Sequence, residues 1–257
     1  MTWVRIAIAL PLGLAFGSFL TVAIHRVPAG GSVVAPRSRC PACGAQIAGR
    51  DNVPVVSWVL LRGRCRSCGA RISPVYPLTE LATAALFVAA ALWFDDLWVA
   101  VVMAPFLGLM LALAVIDIRH KIIPNRLIYP SLLLFAAYLV VAAVAGGGPD
   151  VLDGVIGFLA YGGAILIVAL ISPRGMGMGD VKLAALIGMV IGAIDLPSVA
   201  VAAGMGILLG GLAAIVALLA GKGRKSVLPF GPFLAAGAAI GAFFGPEIAD
   251  AYLRALT

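Results

Sequence analysis

The chain has 257 residues, 63% of them hydrophobic and only 11% charged, with a net charge of +7 and a mean hydropathy of +1.12. Soluble globular domains carry about 25% charged residues, so this composition excludes them, and the lack of short alternating segments excludes a membrane barrel. In a membrane protein, excess Lys and Arg reports orientation and contact with anionic lipid rather than nucleic acid; lipids are expected partners, and nucleic acid is not.

The expected fold is an all-α polytopic membrane protein with about eight transmembrane helices and a small cytoplasmic zinc-binding loop between the first and second. The first apolar run, RIAIALPLGLAFGSFLTVAI, is long, its basic cluster follows it, and no small-residue cleavage site closes it. It therefore reads as a retained span with its N-terminus outside, not as a signal peptide. Apolar runs and breakers place the spans at roughly 3–24, 78–94, 97–116, 127–145, 151–171, 181–194, 197–220 and 228–252. The sixth is short and glycine-rich, so it is expected to tilt, break or begin inside GMGMGD. Three regions follow: a first helix at 1–24, a loop at 25–77 and a membrane core at 78–257.

Charge fixes the orientation of this layout. With the N-terminus outside, every one of the 18 basic residues except Arg5 and Arg254 falls in an inner loop, as the positive-inside rule requires. The C-terminus then also lies outside. Asp95, Asp96, Asp150, Asp153, Asp195, Glu247 and Asp250 fall at outer ends, leaving Asp51, Glu80, Asp117 and Asp180 as the inner acids.

The first inner loop carries Cys40 and Cys43 in one CxxC and Cys65 and Cys68 in another. Two such pairs about twenty residues apart have the spacing of a four-thiolate structural zinc site. Gly44 and Gly69 follow the pairs where a thiolate knuckle needs permissive backbone. The alternatives are two labile disulfides or four free thiols, and disulfides rarely persist in a cytoplasmic loop. A closed four-sulfur site has no position for substrate, so its expected task is to fold the loop. His25 reads as a membrane-boundary histidine rather than a fifth ligand.

Asp117, in LALAVIDIRHKIIPNRL, and Asp180, in GMGMGDVK, both fall at the cytoplasmic edge. Two carboxyl groups sharing a site do not both ionise cheaply, so one holds a proton while the other serves as a base. That pair can activate water against a peptide carbonyl and protonate the leaving amine. Gly175, Gly177 and Gly179 are expected to allow local unwinding and close approach of an extended substrate, with Lys182 as a further support residue. Taken singly, each acid could instead pair with a nearby base: Asp117 with Arg119 or Lys121, Asp180 with Lys182.

Together these residues resemble the type IV prepilin peptidases, the bifunctional leader peptidase/N-methyltransferases of bacteria. The resemblance rests on GMGMGDVKLAALIG, IDIRHKIIPN, GSFLTVAIHRVP (with Thr21 where Asn is commoner), the continuous cysteine-loop pattern from PRSRCPAC to YPLTEL, and PFGPFLAAG. It implies an aspartic endopeptidase of the bacterial inner membrane. This enzyme would cleave prepilins and pseudopilins after a glycine at the cytoplasmic face, with Asp117 and Asp180 as its catalytic pair. It also implies Cys40, Cys43, Cys65 and Cys68 as loop ligands, a methyltransferase association for 25–77, and N-methylation of the new terminus by S-adenosylmethionine. No glycine-rich nucleotide motif marks the donor site. The rival readings are a peptidase without methylation, or a proton-coupled transporter using both aspartates. A transporter would place its acids near mid-membrane between repeated halves.

Overall fold

Backbone polar groups in lipid must be satisfied within their own segment, so each long apolar run forms a helix bounded by a cap or a breaker. The computed structural model describes residues 2–35, 37–172, 176–221 and 228–256. Its helices are α1 (Thr2–Arg26), α2 (Val56–Leu60), α3 (Val75–Trp93), α4 (Leu97–His120), α5 (Asn125–Val144), α6 (Val151–Ile171), α7 (Met178–Gly192), α8 (Leu196–Leu219) and α9 (Gly231–Leu256). There are no strands among the described residues, only two isolated bridges.

Seven of the helices are long and apolar enough to cross a membrane; α2 and α7 are not among them. At 15 residues α7 rises only about 22 Å. It begins inside the GMGMGD stretch, three residues before the expected start of the sixth span. Residues Leu183 to Ala193 are buried without interruption. A helix that is apolar all round belongs in a core, so α7 is enclosed by the other helices. The central part of α4 is likewise buried, with Phe106, Ala112, Leu113 and Ile116 wholly inaccessible.

Three antiparallel pairs, α1 with α3, α6 with α7 and α8 with α9, pack most closely, and α4 joins α1 and α3 to α9. Small residues set the close approaches, since helices in lipid gain association from tight backbone contact. At Gly13 an added Cβ would fall 2.6 Å from Cα of Ala84, and at Gly157 it would collide with the carbonyl of Gly188.

The acids at one end have a capping role. The side chains of Asp96, Asp150 and Asp195 accept from the first N–H groups of α4, α6 and α8, satisfying donors that have no partner inside the helix. At the opposite end lie the last turns of α1 and α4, the first turns of α3, α5, α7 and α9, and the cysteine loop. His25 stacks on Tyr76 there at 4.5 Å, and Arg126 donates to the carbonyl of Gly30 at 2.7 Å.

Candidate active site and metal centre

Asp117 lies one turn before the end of α4 and is buried. The turn after it closes on Lys121, in the left-handed conformation (φ 54°, ψ 41°), whose N–H returns to the carbonyl of Asp117. The chain then crosses Ile122 and Ile123 to Pro124 and α5. Asp117 Oδ2 accepts a 2.9 Å hydrogen bond from the N–H of Gly231, the first residue of α9.

Asp180 occupies the first turn of α7, where its Oδ2 accepts from the N–H of Gly177 at 3.2 Å. The two carboxyl groups lie close enough to interact electrostatically. The last turn of α4 and the first turn of α7, both packed against α9, thus place the two carboxyl groups at helix ends, not at mid-span. Neither aspartate forms an ion pair among the described residues. The local pairings with Arg119, Lys121 or Lys182 are therefore not formed. Lys182 instead donates to Asn125 Oδ1 at 2.9 Å and sits 4.8 Å from the centre of the Tyr129 ring, tying α7 to the start of α5.

The glycine run is corrected in part. Gly175 lies outside the described residues. Gly177 is extended (φ −83°, ψ 151°), which any residue can adopt, and Gly179 is helical rather than unwound. What Gly179 supplies is space: a Cβ there would fall 3.0 Å from Cβ of Ile123. Its missing side chain lets α7 seat against the α4–α5 turn, six residues after Asp117. The role of Gly231 was not evident in the sequence, although PFGPFLAAG contains it. A backbone donor has no side-chain signature.

The cysteine loop is built from two matching knuckles. In the first, Cys40 N–H bonds Ala45 and Gly44 N–H returns to Cys40; in the second, Cys65 N–H bonds Ala70 and Gly69 N–H returns to Cys65. Gly44 and Gly69 take φ values of 70° and 71°, the left-handed region that glycine enters without cost. The four sulfurs lie within 4.8 Å of one another, Cys40 and Cys68 at 3.9 Å. A tetrahedral metal with bonds of about 2.3 Å separates its sulfurs by roughly 3.8 Å, so the four cysteines fit one ion and could hold a metal such as zinc. The N–H groups of Cys43 and Ala42 lower the Cys40 thiol. At Cys68 the N–H of Ala70 lowers it, but the crowded thiols of Cys43, Cys65 and Cys40 raise it overall. The cluster therefore gives up its first proton at Cys40.

Around the sulfurs, Trp58 Nε1 donates to the carbonyl of Ile72 at 3.2 Å, and Arg66 grips Asp51 through both oxygens at 2.7–3.1 Å. Glu80, buried on α3, accepts from the N–H of Val55 at 2.7 Å and fastens the loop to the helices.

Residues 12–94 match the bacterial peptidase A24 N-terminal domain, and residues 104–245 match the type IV leader peptidase family. The chain is 36% identical to the prepilin leader peptidase/N-methyltransferase of Bacillus subtilis strain 168, over 94% of this chain and 95% of that one. It is 33% identical to the protein of the same name from Stutzerimonas stutzeri, over 96% and 93%. It is 35% identical to the type 4 prepilin-like proteins leader peptide-processing enzyme of Escherichia coli O78:H11, over 95% and 92%. No solved structure matches the chain.

Proposed function

Because the chain belongs to the type IV leader peptidase family, we propose that it is a multi-pass inner-membrane enzyme that cleaves prepilins and pseudopilins after a glycine. On this reading it then N-methylates the new terminus. What supports the peptidase half is that Asp117 and Asp180 lie at helix ends on the same side of the bundle, within electrostatic reach of each other, each with Oδ2 held by a backbone N–H. One carboxylate takes a proton from water as the water oxygen attacks the scissile carbonyl. The other carboxyl gives its proton to the amide nitrogen as the C–N bond breaks.

A prepilin joins a basic leader, a glycine and an apolar helix. The apolar part can lie among the spans while the glycine, easily extended, rests at the helix ends beside the dyad. The basic loops support an arrangement with both termini outside and the aspartates and cysteine loop at the cytoplasmic face. Residues 25–77 form the module associated with methyl transfer, and 78–257 the peptidase core.

Cys40, Cys43, Cys65 and Cys68 would hold a structural zinc ion that stabilises a loop too small to fold on its own core. The resemblance gives S-adenosylmethionine as the methyl donor, which would supply an electrophilic methyl group to the newly freed amine. No residue is assigned to bind it.

The test is incubation of the detergent-purified protein with a prepilin, read by mass. Cleavage after the glycine supports the peptidase reading. A further gain of about 14 Da, the net CH₂ added when a methyl group replaces a hydrogen, on adding S-adenosylmethionine supports methylation. An intact substrate would sink the first reading, and a cleaved product of unchanged mass the second.

A further inference from the structure

The motif PFGPF is the sequence feature that the proposed chemistry leaves without a task, and its glycine touches the dyad. Gly231 and Asp117 are 114 positions apart in the chain, yet their hydrogen bond is buried. A Cβ on Gly231 would stand 2.8 Å from Asp117 Oδ2 and 3.2 Å from its Cβ and Cγ. We propose that Gly231 is a positioning residue for peptide cleavage: its N–H fixes the Asp117 carboxylate, and its lack of a side chain is what lets α9 come close enough to do so. This rests on the reading of Asp117 and Asp180 as the cleaving pair.

The neighbouring residues have matching roles. A Cβ added at Gly210 of α8 would meet the Phe230 ring at 2.7 Å, with the Phe233 ring at 3.5 Å, so both rings lie against α8 and anchor the turn. Pro232 is the second residue of α9, a position whose N–H would have no acceptor within the helix, so proline costs nothing there. Gly231 keeps the free N–H of that first turn, and it is this donor that Asp117 receives.

The result is a pair of carboxyl groups held alike. Asp117 Oδ2 is fixed from α9, and Asp180 Oδ2 from the cap of its own helix. Neither Oδ1 has a hydrogen bond among the described residues, which leaves one oxygen of each group for water and substrate. A catalytic oxygen moved by about 1 Å can cost about 100-fold in rate, so the anchoring donor bears on turnover more than on substrate affinity.

The experiment compares prepilin cleavage by purified wild-type enzyme, Gly231→Ala, and a variant with glycolic acid in place of Gly231. The last exchanges the N–H for an ester oxygen and adds no bulk. Asp117→Asn is run beside them, with Gly204→Ala as the control, since nothing lies within 4 Å of that position. The expected result for Gly231→Ala is a kcat lower by about 100-fold with KM within about twofold. The ester should lose at least about tenfold in kcat, the worth of a hydrogen bond to a charged group.

If Gly231→Ala does not fold, the ester variant decides the matter alone. Wild-type kcat in the ester variant, or a loss confined to KM, overturns the proposal. Full activity in Asp117→Asn would instead remove the reading on which it rests.

Discussion

The cysteine loop and the aspartate site are assembled in opposite ways. The loop is made of contacts between near neighbours: two CxxC turns that repeat the same hydrogen bonds, closed by Trp58 on Ile72 and by Asp51 on Arg66. The aspartate site joins α4, α7 and α9, and its defining bond spans 114 positions. A short-range module with a metal can fold as a unit, whereas a site at the junction of three helices exists only when the whole bundle is packed. Damage to one should therefore leave the other measurable.

The largest effect that would test this separation is on cleavage. Asp117→Asn and Asp180→Asn should each reduce prepilin cleavage by about 10⁴-fold, while metal analysis still finds about one zinc per chain. Substantial activity in either variant removes that aspartate from the mechanism. Loss of zinc together with activity would show that the two regions are one cooperative unit.

The reverse experiment removes a ligand from the loop. Cys40→Ser or Cys65→Ser should abolish stoichiometric zinc and expose residues 37–72 to limited proteolysis. Cleavage should fall by less than about tenfold, because no loop residue among those described hydrogen-bonds or ion-pairs with either carboxylate. Fastenings of the loop such as Glu80 to Val55 and Arg126 to Gly30 set that limit. A collapse of cleavage equal to that of the aspartate variants would mean that the loop forms part of the peptidase site.

The same division explains what could be read in the sequence. Paired CxxC spacing with glycines behind it encodes a local geometry, and the knuckles match it residue for residue. Span positions were legible because length and apolarity are local too: seven of the eight expected segments hold a helix long enough to cross a membrane, and the sixth holds the shorter, enclosed α7. Asp117 and Asp180 stood out as acids in apolar company. Gly231 did not, because a backbone N–H on another helix leaves no residue pattern. Gly179 was legible as a glycine, but its place inside α7, close against Ile123, was not, because that contact depends on how α7 packs on the α4–α5 turn. The capping role of Asp96, Asp150 and Asp195 could have been read from their position just before each apolar run.

Between the extremes stands Lys182, which lies near Asp180 but is directed at Asn125 and Tyr129. Lys182→Met keeps the length and apolar stem while losing the donor and the charge. Cleavage should drop about tenfold, with zinc content unchanged. Arginine, which is also cationic and can stack on Tyr129, should recover part of that loss. An effect as large as that of Asp180→Asn would give Lys182 a direct part in the chemistry.

The smallest expected effect is on the loop side. The Arg66 side chain, through its hydrogen bonds and its charge, holds the Asp51 carboxyl below the usual carboxylate range, so the pair's contribution is complete above about pH 4 and is lost only as pH falls through that lowered value. Between about pH 5 and pH 8 it should therefore be constant. Asp51→Asn should speed zinc release to a chelator by no more than about fivefold, as an exposed ion pair allows. That ratio should stay flat across this pH range and shrink at high salt. Any steep pH dependence of release shared by both proteins then belongs to protonation of the thiolates. A ratio that itself changed with pH in this range would mean that Asp51 acts on the sulfurs rather than only tying the turn at Gly49–Asp51 to the second knuckle.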